Sequence, residues 1–546
     1  MPSIDNPIRN PQSSIRNDVI VIGGGHNGLI AATLFAKAGL RTLVVERSDR
    51  VGGCARTSEI APGFRCPTLA HTAAIDPALA TAFGLERHGL QIIRPESDAC
   101  APAVDGPALT LWRDPVRAAK NIAAYSEDDA ARYPRFLESF GRISAVLRVL
   151  FSTVPPCIDT QSAGDLVQLL KAGRAFRALG RPDAYRLLRW LSMPVADLVA
   201  DWFATEPLRA TIAAGGVLGS CLGPWSAGSA AVLLLLGASE GQPVASGWLA
   251  RGGPGSIADA LARVSREQGV EIRTSADVAQ IEVADEAARA VVLSSGERIA
   301  ARDIVSGADP KRTLGLVDPR HFDPAFMRRA LNLRARGTLA KVNYALSGLP
   351  RFSSLRALDD TGQTAALSGR IRLARDIDAI ERAFDASKYG GFADEPWIEL
   401  TIPSIADPGL APSNHHVASA YVQYAPYRLA DGTWDDARDR LGDAATAIIS
   451  KYAPGFESLV LAREVITPLD LERTYGLTGG DIFHGELALD QWFITRPLLE
   501  FARYAMPIRH LFLCGSGTHP GTGLNGRSGA LAAKHILRVI RRSRSV

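Results

Sequence analysis

The stretch from Asp18 to Gly53 reads DVIVIGGGHNGLIAATLFAKAGLRTLVVERSDRVGG. A short run of Val and Ile ends in glycines, the pattern of a buried parallel strand. Residues Asn27 to Ala38 carry apolar side chains at helical spacing, and Gly39 stands where a helix stops. RTLVVE then reads as a second strand, closing a βαβ unit. Gly23, Gly25 and Gly28 fit G-x-G-x-x-G between the first strand and the helix. Gly23 permits the tight turn, Gly25 lets a pyrophosphate approach the backbone, and Gly28 lets helix and strand pack closely. The unpaired N–H groups and positive dipole end of the helix complete an anion cradle. Glu46 lies 21 residues beyond Gly25, at the end of the second strand. A carboxylate there accepts hydrogen bonds from ribose hydroxyls and repels a 2′-phosphate, so the unit takes a dinucleotide other than NADP. His26 and Asn27 fill the variable positions and are expected to shape the turn.

The next residues decide which dinucleotide. ERSDRVGGCART places Arg47, Gly52, Gly53, Arg56 and Thr57 directly after Glu46. A simple NAD enzyme has no use for a second glycine pair here. FAD is longer, and a second glycine turn lets the backbone follow it while Arg56 pairs with phosphate. This pattern resembles the amine oxidase and phytoene desaturase branch of the glutathione-reductase-like flavoproteins. Near the other end, LFLCGSGTHPGTGLNGRSGALAAKHI resembles the C-terminal flavin motif of phytoene desaturases and carotenoid isomerases. Gly521, Gly523 and Gly526 repeat G-x-G-x-x-G formally, but 20 residues remain, too few for another strand and acid. The resemblance implies a loop holding Gly515, Gly523, Leu524 and Asn525 against FAD. A helix starting near Leu524 would aim its N-terminus at the flavin N1–C2=O edge. It also implies adenine contact at Val278, and Gly307 and Ala308 close to the dinucleotide.

The resemblance covers nearly the whole chain and implies an α/β fold. A discontinuous Rossmann-like FAD-binding domain carries an inserted mixed sheet and a helical substrate domain. We divide the chain into a disordered leader 1–17, FAD-binding segments 18–75, 245–315 and 465–546, and substrate segments 76–244 and 316–464. Residues 78–210 read as mainly helical. The chain has 546 residues, with 47% hydrophobic and 22% charged, ordinary for a globular protein of several domains. A net charge of +4 is too small to point to nucleic acid. The stretch Lys171 to Trp190 and the tail RVIRRSRSV are basic, read either as solvated faces or as peripheral contact with anionic lipid. The polar N-terminus has no apolar core, and glycines and Pro224 interrupt the uncharged run 210–239, which reads as buried. The expected setting is cytoplasmic, with membrane contact and a homodimer left open. No CxxC pair or Cys–His spacing indicates a redox disulfide or a metal.

Flavin performs the hard step itself, so no catalytic triad is expected. GTLAKVNYALSGLP resembles the amine oxidase strand that carries a lysine near flavin N5, which falls on Lys341. The alternative is a strand end whose ammonium reaches solvent. GGDIFHGELALDQWFITRP supplies His484, a candidate general base, with Asp490, Gln491 and Trp492 nearby. His519 and His71 are weaker candidates, and His415 and His416 read as solvated. Residues 210–239 with Trp225, Trp397, Tyr421, Tyr424 and Trp492 are expected to line a tunnel for a lipophilic or aromatic substrate. The expected function is FAD-dependent hydride removal from a C–H bond, with O2 or a quinone as acceptor. Amine oxidation, redox-neutral polyene isomerisation and a flavin-binding interaction protein remain the rivals.

Overall fold

The computed structural model describes residues 17–157, 162–240, 242–244 and 247–543. The leader therefore lies outside the described residues, apart from Asn17, as do the last three residues of the basic tail.

Two seven-stranded sheets organise the chain. In the first, Asn17–Ile22 sits between Arg298–Ser306 and Thr42–Val45, parallel to both, and Glu271–Arg273 extends the parallel set. Val19, Ile20 and Val21 are fully buried, as a strand covered on both faces requires. Val278–Ala284 and Ala287–Leu293 join Arg298–Ser306 as an antiparallel meander, and Leu511–Leu513 pairs in parallel with its far end. The helix His26–Lys37 follows the first strand, and Gly39 has φ 83°, as its stop position predicts. Gly255–Glu267 and the final helix Arg527–Ser543 pack beside it.

The second sheet runs in the order Val460–Ile466, Leu339–Leu346, His416–Gln423, Ile398–Thr401, Arg370–Leu373, Ser97–Ala101, Leu109–Trp112. One of its faces carries Val342, Ala420, Leu400 and Ile371, all in the large core shared with the helices. Successive side chains of a strand alternate between faces. The opposite face therefore carries Lys341, Tyr421, Glu399 and Arg372, which the register places side by side. These four are buried as well.

One expectation changes here. The stretch 78–210 is not helical throughout, because Ser97–Ala101 and Leu109–Trp112 form the edge of the second sheet. At 5 and 4 residues these strands are too short to show much periodicity, and the first is built of small residues. Helices follow from Pro115, including Glu127–Phe151, Ala163–Ala178 and Gly180–Ser192. The uncharged run 210–239 is largely buried, and its second part forms the helix Ser229–Glu240, with Ala230 to Leu235 no more than 1% exposed. Among the described residues no helix is long and apolar enough to cross a membrane.

Candidate functional site

One large cavity opens outside the carboxyl ends of the parallel strands, where open α/β sheets bind ligands. With its open mouth included, the space measures about 1980 Å3.

Gly23, Gly25 and Gly28 line one end. A Cβ on Gly28 would sit on the carbonyl oxygen of Gly23, whereas one on Gly25 would meet nothing within 4 Å. Gly28 thus serves packing and Gly25 leaves its backbone bare to the cavity. Glu46 is 7% exposed and lines the same end. Its carboxylate accepts N–H bonds from Gly24 at 2.7 Å and Ser48 at 3.0 Å, which fixes its orientation and leaves lone pairs for hydroxyls. Arg47, Gly53, Arg56, Val278, Gly307, Ala308, Gly515, Gly523 and Leu524 line the cavity too. Nε of Arg56 is buried without a partner.

Three expected contacts are displaced. Gly52 donates its N–H to Gly24 O at 2.9 Å and has φ 132°, so it braces the first glycine loop from behind. Thr57 donates to Gly252 O at 2.9 Å and accepts from Gly255 N at 3.1 Å, clamping the turn before helix Gly255–Glu267. Asn525 donates to Gly521 O, Thr522 O and Thr522 Oγ1, and its Oδ1 accepts from Arg527 N at 2.8 Å. None of the three lines the cavity. The final helix also starts at Arg527, after a short 3-10 turn at Gly523–Asn525, rather than near Leu524. Left-handed Gly526, at φ 78°, separates the two.

Asn27 is a cross-link. Its Nδ2 donates to Ser516 Oγ at 3.0 Å, and its Oδ1 accepts from Gly529 N at 3.0 Å. His26 faces the cavity with Nε2 unpartnered, and burial lowers its pKa to about 4, helped by nearby His484. His484 lines the cavity at φ 59°, with Nδ1 unpartnered. Burial lowers its proton affinity, while Asp309 acts in the opposite sense. Its neighbours in sequence stand apart: Asp490 pairs with Arg334 at 2.7 Å, Gln491 accepts from Arg334 N at 2.7 Å, and Trp492 packs on Phe151.

Lys341 does not line the cavity. It is 2% exposed, so it does not reach solvent either. Its Nζ donates to Leu69 O at 2.7 Å and lies 4.9 Å from the centroid of Tyr421. Burial pushes its pKa down to about 7. Leu69 and Tyr421 form the wall between this ammonium and the cavity.

The far end is lined by Leu218, Leu236, Pro243, Ile482 and Phe483, with His71, Tyr421, Arg370 and Arg372. Of the five expected aromatics only Tyr421 faces it. Trp397 is core, Tyr424 donates to Leu222 O at 2.8 Å, and Trp225 is 45% exposed on the surface. His519 is fully buried and bonds Leu150 O at 3.1 Å, and His415 and His416 are half-buried beside Phe64 and Ser404 rather than solvated. Arg370, Arg372 and Glu399 were not foreseen. The signal was RIRL, IELT, ASAYVQ and LAKVNYA, four strands alternating polar and apolar residues although both faces are buried.

Comparison with known proteins agrees with this geometry. Residues 21–84 match the NAD(P)-binding Rossmann-like domain, and residues 206–537 match the flavin containing amine oxidoreductase model. The chain belongs to the flavin containing amine oxidoreductase family. Within this family the rat pyridine nucleotide-disulfide oxidoreductase domain-containing protein 2 is 36% identical, over 95% of this chain and 93% of that one. Phytoene desaturase (lycopene-forming) of Pantoea ananas is 25% identical over 94% and 97%. Putrescine oxidase solved with putrescine shares the fold at TM-score 0.58 and 13% identity, covering 96% of this chain and 99% of that one. The chain is thus an oxidoreductase of the flavin amine oxidase family, and its cofactor is FAD. The cavity fits that cofactor: bare Gly25, the packed Gly28, the Glu46 carboxylate and the unpartnered Nε of Arg56 are what a flavin dinucleotide would engage.

Proposed function

We propose that this oxidoreductase removes hydride from a C–H bond of a lipophilic molecule, leaving a double bond, and that O2 or a quinone takes the electrons. One observation carries the reading: a single cavity joins the glycine cradle to a chamber walled by Leu218, Leu236, Ile482 and Phe483. Bound FAD supplies the hydride acceptor. The chain must hold the substrate, keep water out and take up the proton that leaves with the hydride. Gly23, Gly25, Gly28, Glu46, Arg56, Val278, Gly515 and Leu524 are the residues we assign to holding FAD. Relatives support a substrate with an apolar body, since a phytoene desaturase aligns over nearly its full length. An aromatic cage for an amine would need facing rings, and here Tyr421 is stacked on His71 with centroids 3.6 Å apart.

His484 is our candidate proton acceptor. It faces the cavity, has Nδ1 free, and burial favours its neutral form. Lys341 reaches the chamber only through Leu69, so we assign it a positioning role, holding the Leu69 carbonyl. The test is anaerobic mixing of holoenzyme with terpenes, polyenes, fatty acids and amines while following loss of the oxidised flavin spectrum. Bleaching by an amine alone would overturn the reading. His484→Asn should slow bleaching by about 10²–10⁴-fold with FAD content unchanged. Bleaching at the wild-type rate would remove His484 from the reaction.

A further inference from the structure

The far end of the chamber holds ionised groups that hydride removal does not need. Glu399 is fully buried and accepts from Arg370 Nη1 and from Arg372 Nε at 3.0 Å. Arg372 also donates through Nη1 to Thr211 O. A buried ion pair adds little net stability over apolar packing, so this cluster calls for another use. Both arginines and His71 line the cavity. Gly215 lies in front of Arg372: a Cβ there would come within 3.9 Å of Arg372 Nη2. His71 is 2% exposed, its Nδ1 stands 3.9 Å from Glu399 Oε1, beyond hydrogen-bond reach, and neither ring nitrogen has a partner. One face of the chamber end is therefore a guanidinium held in place by a carboxylate, beside an unsatisfied imidazole donor.

We propose that the substrate carries a carboxylate, received by Arg372 and His71, with its apolar body lying along Leu218 and Leu236. A guanidinium presents its donors in a fork that matches a carboxylate. Glu399 fixes that fork beforehand, so binding does not have to order it. The His71 ring donates to the same group. A pure hydrocarbon of equal length would leave these donors unpaired and is rejected on that account. The substrate class is thus an amphipathic acid. This inference rests on reading the chamber as the substrate site.

The test uses FAD-loaded enzyme and two probes of one chain length, hexadecanoate and its methyl ester, each below its aggregation limit. Binding is read from the perturbed flavin spectrum. Wild type should bind the acid at least about tenfold more tightly, the worth of one charge-assisted hydrogen bond. Arg372→Met should erase the preference and leave ester binding unchanged. His71→Phe, which keeps the ring stack on Tyr421, should reduce the preference without losing FAD. Equal affinity for acid and ester in wild type overturns the proposal, as does a preference that survives both substitutions. Tight acid binding without anaerobic bleaching by any compound would keep the carboxylate site and remove the oxidation reading. Bleaching by hydrocarbons with no acid preference would do the reverse.

Discussion

Glu46 is held by two backbone N–H donors before any ligand arrives. Glu46→Ala should therefore weaken FAD retention by about 10–100-fold, since it removes ribose hydrogen bonds and leaves Gly24 N unpaired. The flavin-to-protein absorbance ratio after dialysis checks this, and full occupancy would refute the ribose contact. Lys341 makes a second prediction. Its pKa falls to about 7 in the fold against the ordinary 10.5. Burying the charge thus costs stability in full below pH 7, and the cost fades as pH rises towards 10.5. Lys341→Met should raise the melting temperature most at acid pH, by the equivalent of a few kcal/mol less ~1 kcal/mol for the lost bond to Leu69 O, with the gain shrinking at alkaline pH. If Lys341 positions Leu69 for the reaction, the pH profile of flavin reoxidation by O2 should also lose its inflection near neutrality. The motif glycines and Glu46 were readable because each answers a steric or charge demand that few residues meet. Thr57 and Asn525 share the same motifs yet do not line the cavity. Spacing alone does not separate a residue that touches a ligand from one that shapes the loop around it.

The loop Gly515–Gly526 shows how such shaping works. Three hydrogen bonds donated by Asn525 and one it accepts tie Thr522, Gly521 and Arg527 together, with Thr522 itself at φ 60°. Asn525→Ala should lower stability by roughly 1–3 kcal/mol and loosen FAD, although the side chain is outside the cavity. Thermal melts with and without added FAD would show it, and unchanged melts would refute the bracing role. Strands were legible where Val and Ile ran together, as in the first, or alternated. The strands at Ser97 and Leu109 escaped because segments of 5 and 4 residues are too short to establish a period. The polar face across Arg372, Glu399, Tyr421 and Lys341 reads strand by strand as solvent-facing. Only the pairing of four distant segments reveals that this face is buried, with Arg372 and Tyr421 bordering the chamber.

The first sheet draws strands from residues near 20, 43, 272, 300 and 512, and the cavity takes its lining from most of the chain. A ligand that touches so many segments should stabilise them together. At 100 times its dissociation constant, FAD should add about 2.7 kcal/mol and merge unfolding into one transition, while the deflavinated protein should melt lower. Calorimetry of both forms tests this, and identical melting would refute it. Such a long-range arrangement is invisible to local pattern and came instead from the resemblance between the two end motifs and a known family.

The Asn27 side chain bridges partners 489 and 502 positions downstream. A ribosome-bound chain lacking its closing helix consequently owns a phosphate cradle with no lid. Flavin loading then waits for the segment that carries Ser516 and Gly529, and chains truncated before Ser516 should emerge colourless.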